Sequence, residues 1–158
     1  MTLQPWPPEF FEKKRGHGCP QCEEGRVEQN AHGVRFLEAE SSDAYLQFSG
    51  PTPGYSVLVF RGRHVSEPQS MTPDEHRSFW TDISRAARAI ETVFAPVHLN
   101  FQLLGNADPH VHVHIVPRYD PDPAPSMPLP QSVWAQGESI PPDRFTSHVE
   151  QLRAAISL

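Results

Sequence analysis

Residues 109–118 read Pro-His-Val-His-Val-His-Ile-Val-Pro-Arg, in which histidine alternates with an aliphatic residue. This alternation predicts a β-strand, because successive side chains of a strand point to opposite faces of the sheet. One face then carries His110, His112 and His114, and we expect the aliphatic residues between them to point into the core. Neighbouring histidines lie about 6.6 Å apart along such a strand, and the outer two lie about 13 Å apart. A straight strand therefore cannot bring all three to one metal ion, but it can align them along the phosphates of a nucleotide.

Two other interpretations of this strand stay open from the residues alone. The histidines could form a solvent-facing polar edge without a function. His110 and His112 could also be half of an H-x-H metal site, which needs a third ligand from another strand. No glutamate follows His112 at the spacing that a cupin-type metal site uses.

Further strands are predicted at 34–40, 44–48, 55–60 and 97–104. Ser41-Ser42-Asp43 separates the first two strands and indicates a hairpin turn. The segment 55–60 is almost continuously apolar, which favours a central strand buried on both faces. A turn at Gly105-Asn106-Ala107-Asp108 separates the strand at 97–104 from the histidine strand, predicted at 110–118.

One long helix is predicted after Thr72-Pro73-Asp74-Glu75, because Thr72 can cap a helix, Pro73 suits its first position and Glu75 completes a capping box. Apolar residues then recur at helical spacing for about five turns, and the helix ends before Pro96. These residues are Phe79, Trp80, Ile83, Ala87, Ile90 and Phe94. A short C-terminal helix is predicted from Phe145, Val149, Leu152 and Ile156. The order of elements predicts an α+β domain, in which an antiparallel sheet of about five strands packs against the long helix.

Composition bounds the class of protein. The chain has 158 residues, a formal net charge of −6, 18 prolines and 9 histidines. Its length suits one domain with tails: a lead-in at 1–16, a domain at 17–120, and a Pro-rich tail at 121–158 that we expect to be extended before the short C-terminal helix. The acidic balance argues against a protein that coats a nucleic acid polymer, but not against one that binds a small phosphate ester. Without an apolar signal-peptide core in the first twenty residues or a membrane-spanning apolar run, we expect a cytoplasmic protein with no membrane partner.

The histidine strand resembles the signature of the histidine-triad (HIT) superfamily of nucleotidyl hydrolases and transferases. Two further segments are similar to that family: the run from Gly54 to His64, and Leu99-Asn100 with Gly105-Asn106 ahead of the triad. The resemblance covers about residues 17–120 and implies the HIT-like fold, a small nucleotide substrate, a homodimer and no organic cofactor.

The resemblance also implies a chemistry. His112 would attack the α-phosphorus of a nucleotidyl ester, a phosphoramidate or a dinucleoside polyphosphate, and water would then hydrolyse the covalent nucleotidyl-histidine. His114 would donate to the phosphate or the leaving group, and the backbone or His110 would accept from the second nitrogen of His112. The predicted catalytic residues are thus His110, His112 and His114. The predicted substrate-binding residues are Asn100, Gly105, Asn106 and His114.

Two other functions compete with this one. A non-catalytic nucleotide-binding or interaction protein could keep the same scaffold, although such a protein has no need of His112. A metal-dependent hydrolase could use His110 and His112 as ligands, and removal of the metal would abolish its activity.

Cys19-Pro20-Gln21-Cys22 has the spacing of half a zinc site. A redox pair and two thiols without a role are the alternatives. Relatives that carry this knuckle imply a structural zinc held by Cys19, Cys22, His64 and His110, which would support the triad without acting as a Lewis acid. His17 is a spare ligand that could replace His64.

This sequence departs from the family pattern at two places. The segment 46–51 lacks the aspartate that grips the ribose hydroxyls, and Gln47 or Ser49 could substitute for it. Gly54-Tyr55 stands where the family commonly has Gly-His before the central strand.

Three other assignments stay open. Phe36, Leu37 and Phe48 could line an apolar slot for the base or belong to the core. Arg118 could contact phosphate or form an exposed or dimer-interface salt bridge. The remaining histidines are interpreted as surface or satisfied core residues, namely His32, His76, His98 and His148.

Overall fold

The computed structural model describes residues 2–157, apart from the side chain of Glu138. Its centre is a five-stranded antiparallel sheet in the order β1-β2-β4-β6-β5. These strands are β1 (Gly33–Glu38), β2 (Ser42–Gln47), β4 (Ser56–Phe60), β5 (His98–Gln102) and β6 (His112–Arg118). Two short strands, β3 (Ser49–Gly50) and β7 (Glu138–Ser139), pair separately. The predicted five-stranded sheet is confirmed, with the strand predicted at 55–60 at its centre.

Five α-helices flank the sheet in the described chain: α1 (Pro8–Lys14), α2 (Pro20–Glu24), α3 (Pro73–Phe94), α4 (Gln131–Ala135) and α5 (Pro142–Ile156). The capping box that the sequence predicts at the start of α3 is present, since Thr72 Oγ1 accepts from the Glu75 amide and the Glu75 carboxylate accepts from the Thr72 amide. The helix ends at Ala95, whose φ of 47° is left-handed, directly before Pro96. Every described helix is too short or too polar to cross a bilayer.

The core lies between one face of the sheet and helices α3 and α5. In the central strands the register places Leu58 between Ala44 and Val113, and all three side chains are fully buried on this face. The predicted inward side of the histidine strand is confirmed, because Val111, Val113 and Ile115 are buried in this core. Phe36 and Leu37 also belong to the core, and Phe48 packs against it, so core packing is what the structure shows for these three.

The predicted hairpin between β1 and β2 is present, but its turn is shorter than the sequence indicated. Ser42 and Asp43 belong to strand β2 and are fully buried. Both polar side chains find partners distant in sequence: Ser42 Oγ donates to Asp82, and Asp43 accepts from Arg26 and Arg61. These partners allow two turn-forming residues to be buried in a strand.

The Pro-rich segment after β6 differs from the extended tail that the sequence predicts. It contains α4 and the strand β7, and α5 is a helix of 15 residues. Arg118 organises the start of the segment, because its guanidinium donates to both Asp122 oxygens and to the carbonyls of Ala124 and Met127. The predicted domain boundaries stay a prediction.

Candidate active site

His112 and His114 lie on the face of the sheet opposite helices α3 and α5. In the register of the strands His112 stands beside Val59, and His114 stands between Val57 and Gln102. Strand β6 begins at His112, two residues after the predicted start, so His110 precedes it. His110 is only 3% exposed, and its ring lies against the two cysteines. His112 and His114 instead face each other, with ring centroids 4.9 Å apart.

The ring of His112 is held in one tautomer. Its Nδ1 lies 2.6 Å from the carbonyl oxygen of His110, and a carbonyl can only accept, so this nitrogen carries the hydrogen. For the neutral ring, Nε2 then has a free lone pair, which is what a nucleophile requires. His112 Nε2 lies 3.2 Å from His114 Nε2, and His114 Nδ1 lies 2.6 Å from the hydroxyl of Tyr55.

Burial shifts the acidity of the groups at both ends of the triad. It lowers the pKa of His114 to about 4, with the neighbouring His112 adding to the shift. Burial lowers the pKa of His110 to about 4 as well, against the opposing effect of its hydrogen bond to Phe60. It also raises the pKa of Tyr55 to about 12. His110, His114 and Tyr55 are therefore neutral at pH 7.

Of the predicted phosphate-binding residues, one lies on the sheet face of the triad and two lie in the loop before it. Asn100 on β5 pairs with Val116 and so shares the face of His112 and His114. Its Oδ1 accepts from Arg118, which leaves its NH₂ group as a donor. Gly105 has a φ of +64° in the loop before the triad, and Asn106 in the same loop is exposed.

Two residues of this face were missed by the sequence reasoning. Gln102 stands directly opposite His114, and only the pairing register of β5 could have identified it. Asp43 lies on the same face, two strands from His112, and both its oxygens accept from guanidinium groups of Arg26 and Arg61. Because those interactions occupy the buried carboxylate, Asp43 does not replace the missing ribose-binding aspartate.

The Cys/His cluster consists of Cys19, Cys22, His64 and His110, whose ligand atoms all lie within 4.8 Å of one another. The structure thus brings together the four residues predicted to hold zinc. His110 Nδ1 lies 3.5 Å from both Sγ atoms, and His64 Nδ1 lies 3.5 Å from Cys22 Sγ. Sulfur and nitrogen ligands at ordinary zinc bond lengths are about 3.5 Å apart in a tetrahedral site, so the spacing fits.

The histidines of the cluster present the correct nitrogen to a metal. His110 Nε2 donates to the carbonyl of Phe60 at 2.7 Å, and His64 Nε2 lies 3.3 Å from the carbonyl of Lys14. Each bond places the hydrogen on Nε2 and leaves the Nδ1 lone pair directed at the thiols. Burial, followed by Cys19, raises the pKa of the Cys22 thiol to about 11, so this thiol would release a proton to bind a cation. His17 is not in the cluster; it is exposed and contacts Glu12.

Arg61 connects the cluster to the sheet. Its side chain is only 4% exposed. The guanidinium donates hydrogen bonds to the Asp43 carboxylate, to the Tyr45 hydroxyl and to the carbonyl of Gln21, which lies between the two cysteines. Arg118 forms an ion pair with Asp122 in which the two side chains are 8% and 10% exposed, so its salt bridge is neither exposed nor at a dimer interface, the two positions that the sequence left open.

Two cavities adjoin this face of the molecule. One of about 380 Å³ lies next to Tyr55, between Gln47, the Pro51–Pro53 loop and the start of α5. The other, of about 1170 Å³, follows the β5 edge and includes Asn100 and Gln102.

Of the four histidines read as surface or satisfied residues, three are exposed: His32, His76 and His98. His148 differs, because its Nδ1 is buried without a hydrogen-bond partner in the described chain.

Comparison with known proteins places this fold and site in a family. The model of the HIT domain matches residues 28–121, which is more than half of the chain. The chain belongs to the HIT domain family. The match contains the sheet, helix α3 and the whole triad, so the resemblance on which the sequence analysis relied is confirmed.

Curated relatives of this HIT protein include two hydrolases. The bis(5'-nucleosyl)-tetraphosphatase [asymmetrical] of Schizosaccharomyces pombe is 33% identical over 92 residues, which cover 55% of this chain and 50% of the relative. The bis(5'-adenosyl)-triphosphatase of Dictyostelium discoideum is 30% identical over 88 residues, which cover 52% and 58%. The chain thus spans about half the length of the curated relatives it matches.

Solved structures of HIT proteins share the fold. A histidine triad protein from Bradyrhizobium japonicum has a TM-score of 0.70 at 25% identity, over 79% of this chain and 91% of the other. A Zn-bound histidine triad family protein from Mycobacterium smegmatis has a TM-score of 0.58 at 22% identity, over 80% and 86%.

Proposed function

We propose that this HIT protein hydrolyses a nucleotidyl ester, a phosphoramidate or a dinucleoside polyphosphate at its α-phosphate, or transfers the nucleotidyl group. The observation that carries this proposal is the tautomer of His112, whose Nδ1–H is held by the His110 carbonyl at 2.6 Å. A half-buried imidazole whose lone pair is fixed on Nε2 is suited to in-line attack on phosphorus. Two curated relatives named as dinucleoside polyphosphatases support the class of substrate.

The reaction proceeds in two displacements. His112 Nε2 forms a bond to the α-phosphorus while the bond from phosphorus to the leaving group breaks, and the leaving group departs with the electron pair and takes up a proton from solvent. Water then attacks the nucleotidyl-histidine, restores the free imidazole and releases the nucleoside monophosphate. His114 Nε2, 3.2 Å from the nucleophilic nitrogen, is positioned to donate to an oxygen of the same phosphate or leaving group. Asn100 supplies a neutral amide donor on the same face.

The nucleoside is assigned to the cavity of about 380 Å³ beside Tyr55. Gln47 lines this cavity and has a side-chain amide that can bond to ribose hydroxyls in place of the missing aspartate. The Pro51–Pro53 loop supplies apolar wall on the other side.

The test is a comparison of His112→Ala and His112→Gly with the wild type on a panel of nucleotidyl esters. We expect turnover to fall below about 1% while binding of nucleoside monophosphate persists. His76→Ala is the matched control, because His76 is an exposed histidine on α3, which packs on the opposite face of the sheet. Retention of more than a few per cent of the rate by the His112 variants would exclude the covalent mechanism. An inactive wild type that still binds nucleotide would favour the non-catalytic alternative.

We further propose that the Cys/His cluster holds a structural zinc ion. Two thiols and two Nδ1 lone pairs give the tetrahedral Cys₂His₂ set that structural zinc prefers, and no ligand position is left for a substrate. The ion would fix His110 and thereby the carbonyl that orients His112, without taking part in the reaction. Both free thiols need a reducing compartment, which supports the predicted cytoplasmic location. Metal analysis of protein purified without chelator should give close to one zinc per chain, and less than about a tenth would contradict this.

The predicted homodimer is proposed to form along β5. This strand is at the edge of the sheet, with no strand paired to its outer side in the described chain. Apolar side chains near this edge are exposed, namely Val97, Phe101 and Leu104. An unpaired edge with exposed apolar residues is a common site of association between chains. Light scattering should give twice the chain mass, and Phe101→Lys should shift the protein toward monomer.

A further inference from the structure

Tyr55 lies in direct contact with the last histidine of the triad. Its hydroxyl is 2.6 Å from His114 Nδ1, and the two rings are parallel within 1° with centroids 6.0 Å apart. It occupies the position before the central strand where the family pattern commonly has histidine. Nothing in the two-displacement scheme above assigns this hydroxyl a role.

The hydrogen atoms along this line of contacts can be counted. His112 carries its hydrogen on Nδ1, so its Nε2 has a lone pair. The contact of 3.2 Å between the two Nε2 atoms needs one hydrogen between them, and that hydrogen must therefore be on His114. A neutral His114 with hydrogen on Nε2 has its lone pair on Nδ1, which accepts from the Tyr55 hydroxyl.

The opposite tautomer of His114 leaves two unfavourable contacts. The two Nε2 lone pairs would face each other at 3.2 Å. The Tyr55 oxygen would accept from Nδ1, and its own hydrogen would then have no acceptor among the described residues. Burial keeps this arrangement neutral near pH 7, since it raises the pKa of Tyr55 to about 12 and lowers the pKa of His114 to about 4.

The surrounding chain holds the Tyr55 ring in place. A Cβ added at Gly50 would lie 2.2 Å from Tyr55 Cδ1, so the close approach of the ring requires glycine there. The ring of Trp134 meets Tyr55 edge-on at 5.4 Å and also contacts the His114 ring at 6.4 Å. A side chain enclosed in this way keeps its hydroxyl aimed at one acceptor.

We propose that Tyr55 is a positioning residue that fixes His114 in the Nε2–H tautomer, so that His114 always presents a donor to the oxygen of the leaving group. This inference rests on the proposed function of His112 and extends it to leaving-group selection. In the scheme the His114 hydrogen stays on Nε2 and stabilises the charge that develops on the leaving atom as its bond to phosphorus breaks. The gain in rate from this donor is greatest for poor leaving groups, because such a group stabilises its own developing charge least. The substrates that depend on Tyr55 are therefore esters of poor leaving groups rather than activated aryl esters.

The experiment compares Tyr55→Phe with the wild type on two nucleoside 5'-phosphate esters, one with a nitrophenyl and one with an unsubstituted phenyl leaving group. We expect Tyr55→Phe to reduce kcat on the phenyl ester by about 10-fold or more, and on the nitrophenyl ester by less than about 3-fold. Equal losses on both esters, or no loss, would overturn the proposal.

A second measurement does not depend on turnover. Nitrogen-15 NMR of labelled histidine reports which ring nitrogen carries the hydrogen, and the His114→Gln variant identifies the signals of His114. We expect Nε2–H in the wild type and a mixture of tautomers in Tyr55→Phe. Retention of the pure Nε2–H form in Tyr55→Phe would overturn the proposal. If the wild type turns over neither ester, the proposed function fails, while the NMR result still decides the role of Tyr55. Unchanged melting temperatures of the variants exclude general unfolding as the cause.

Discussion

His110 and His114 stand at the two ends of one triad, and their surroundings give them opposite chemistry. Both rings are largely buried and both are neutral at pH 7. At His110 a carbonyl acceptor holds the hydrogen on Nε2 and leaves Nδ1 facing two thiols. At His114 the hydroxyl of Tyr55 lies against Nδ1, and Nε2 faces Nε2 of His112. The same residue type at the same spacing thus faces thiols at one end and a second imidazole at the other, because the neighbouring segments differ.

The sharpest way to break this comparison is to remove each ring in turn. His110→Ala should lose the zinc and lower the melting temperature by about 10 °C or more, because a structural metal contributes directly to folding. His114→Ala should retain the zinc, lose most of the turnover and lower the melting temperature by only a few degrees. Metal analysis and calorimetry on the two variants check this. Equal zinc contents in both variants would mean that the two ends are not chemically distinct.

The next largest effect on stability is expected at the ion pair between Arg61 and Asp43, which connects the Cys/His cluster to the sheet. Asp43→Asn leaves the buried guanidinium of Arg61 without its ionic partner and should reduce the free energy of unfolding by about 3 kcal/mol. Glu38→Gln is the control, because Glu38 also pairs with an arginine, Arg35, but is exposed, and should cost less than about 1 kcal/mol. Urea unfolding of both variants gives the two values. A cost at Asp43 no larger than that at Glu38 would contradict the role of the buried network.

A smaller effect is expected from pH at the His114 end. The pKa of His114 is lowered from 6.5 to about 4, so the unfolded chain binds more protons than the folded chain between these values. Stability is therefore fully present above about pH 6.5 and is lost as the pH falls toward 4, by about 1 to 2 kcal/mol between pH 7 and pH 5. His114→Gln should show a correspondingly smaller fall, measured as melting temperature against pH. An identical fall in the variant and the wild type would show that His114 does not contribute.

The smallest effect tests the aromatic contact that encloses Tyr55. Trp134→Ala should lower stability by about 1 kcal/mol, since an edge-to-face aromatic pair contributes about that much. It should also reduce kcat more on the phenyl ester than on the nitrophenyl ester, in the direction of Tyr55→Phe. Trp6→Ala is the matched control, because Trp6 is half-exposed and stacks with Phe10 in the N-terminal lead-in, where it should leave both rates unchanged.

The elements of the fold that short-range sequence patterns signal were predictable from the sequence. Alternating residues identified β6, a nearly continuous apolar run identified β4, and Thr72 with Glu75 identified the start of α3. The spacing of Cys19 and Cys22, together with the family resemblance, identified the cluster. Each of these signals lies within a few residues or in a pattern known from relatives.

The parts that were missed depend on partners distant in sequence. Ser42 and Asp43 read as a turn because nothing nearby reveals that Asp82, Arg26 and Arg61 will bury them in a strand. The contact of Tyr55 with His114 joins residues 59 positions apart. Helix α4 and strand β7 have no periodicity of their own and depend on attachment to the rest of the molecule.

The segment between β6 and α5 is attached at both ends. At its start, Arg118 donates hydrogen bonds to the carbonyls of Ala124 and Met127. At its far end, Gly137 approaches Gly50 so closely that a Cβ on Gly137 would lie 2.9 Å from the Gly50 carbonyl oxygen. The segment between these two attachments has a fixed number of residues, and Trp134 lies in it close to Gly137. Inserting or deleting a single residue between Arg118 and Trp134 would therefore move the indole off Tyr55 without altering any side chain of the triad. The number of residues in this segment, and not only their identity, therefore determines where Trp134 lies relative to Tyr55.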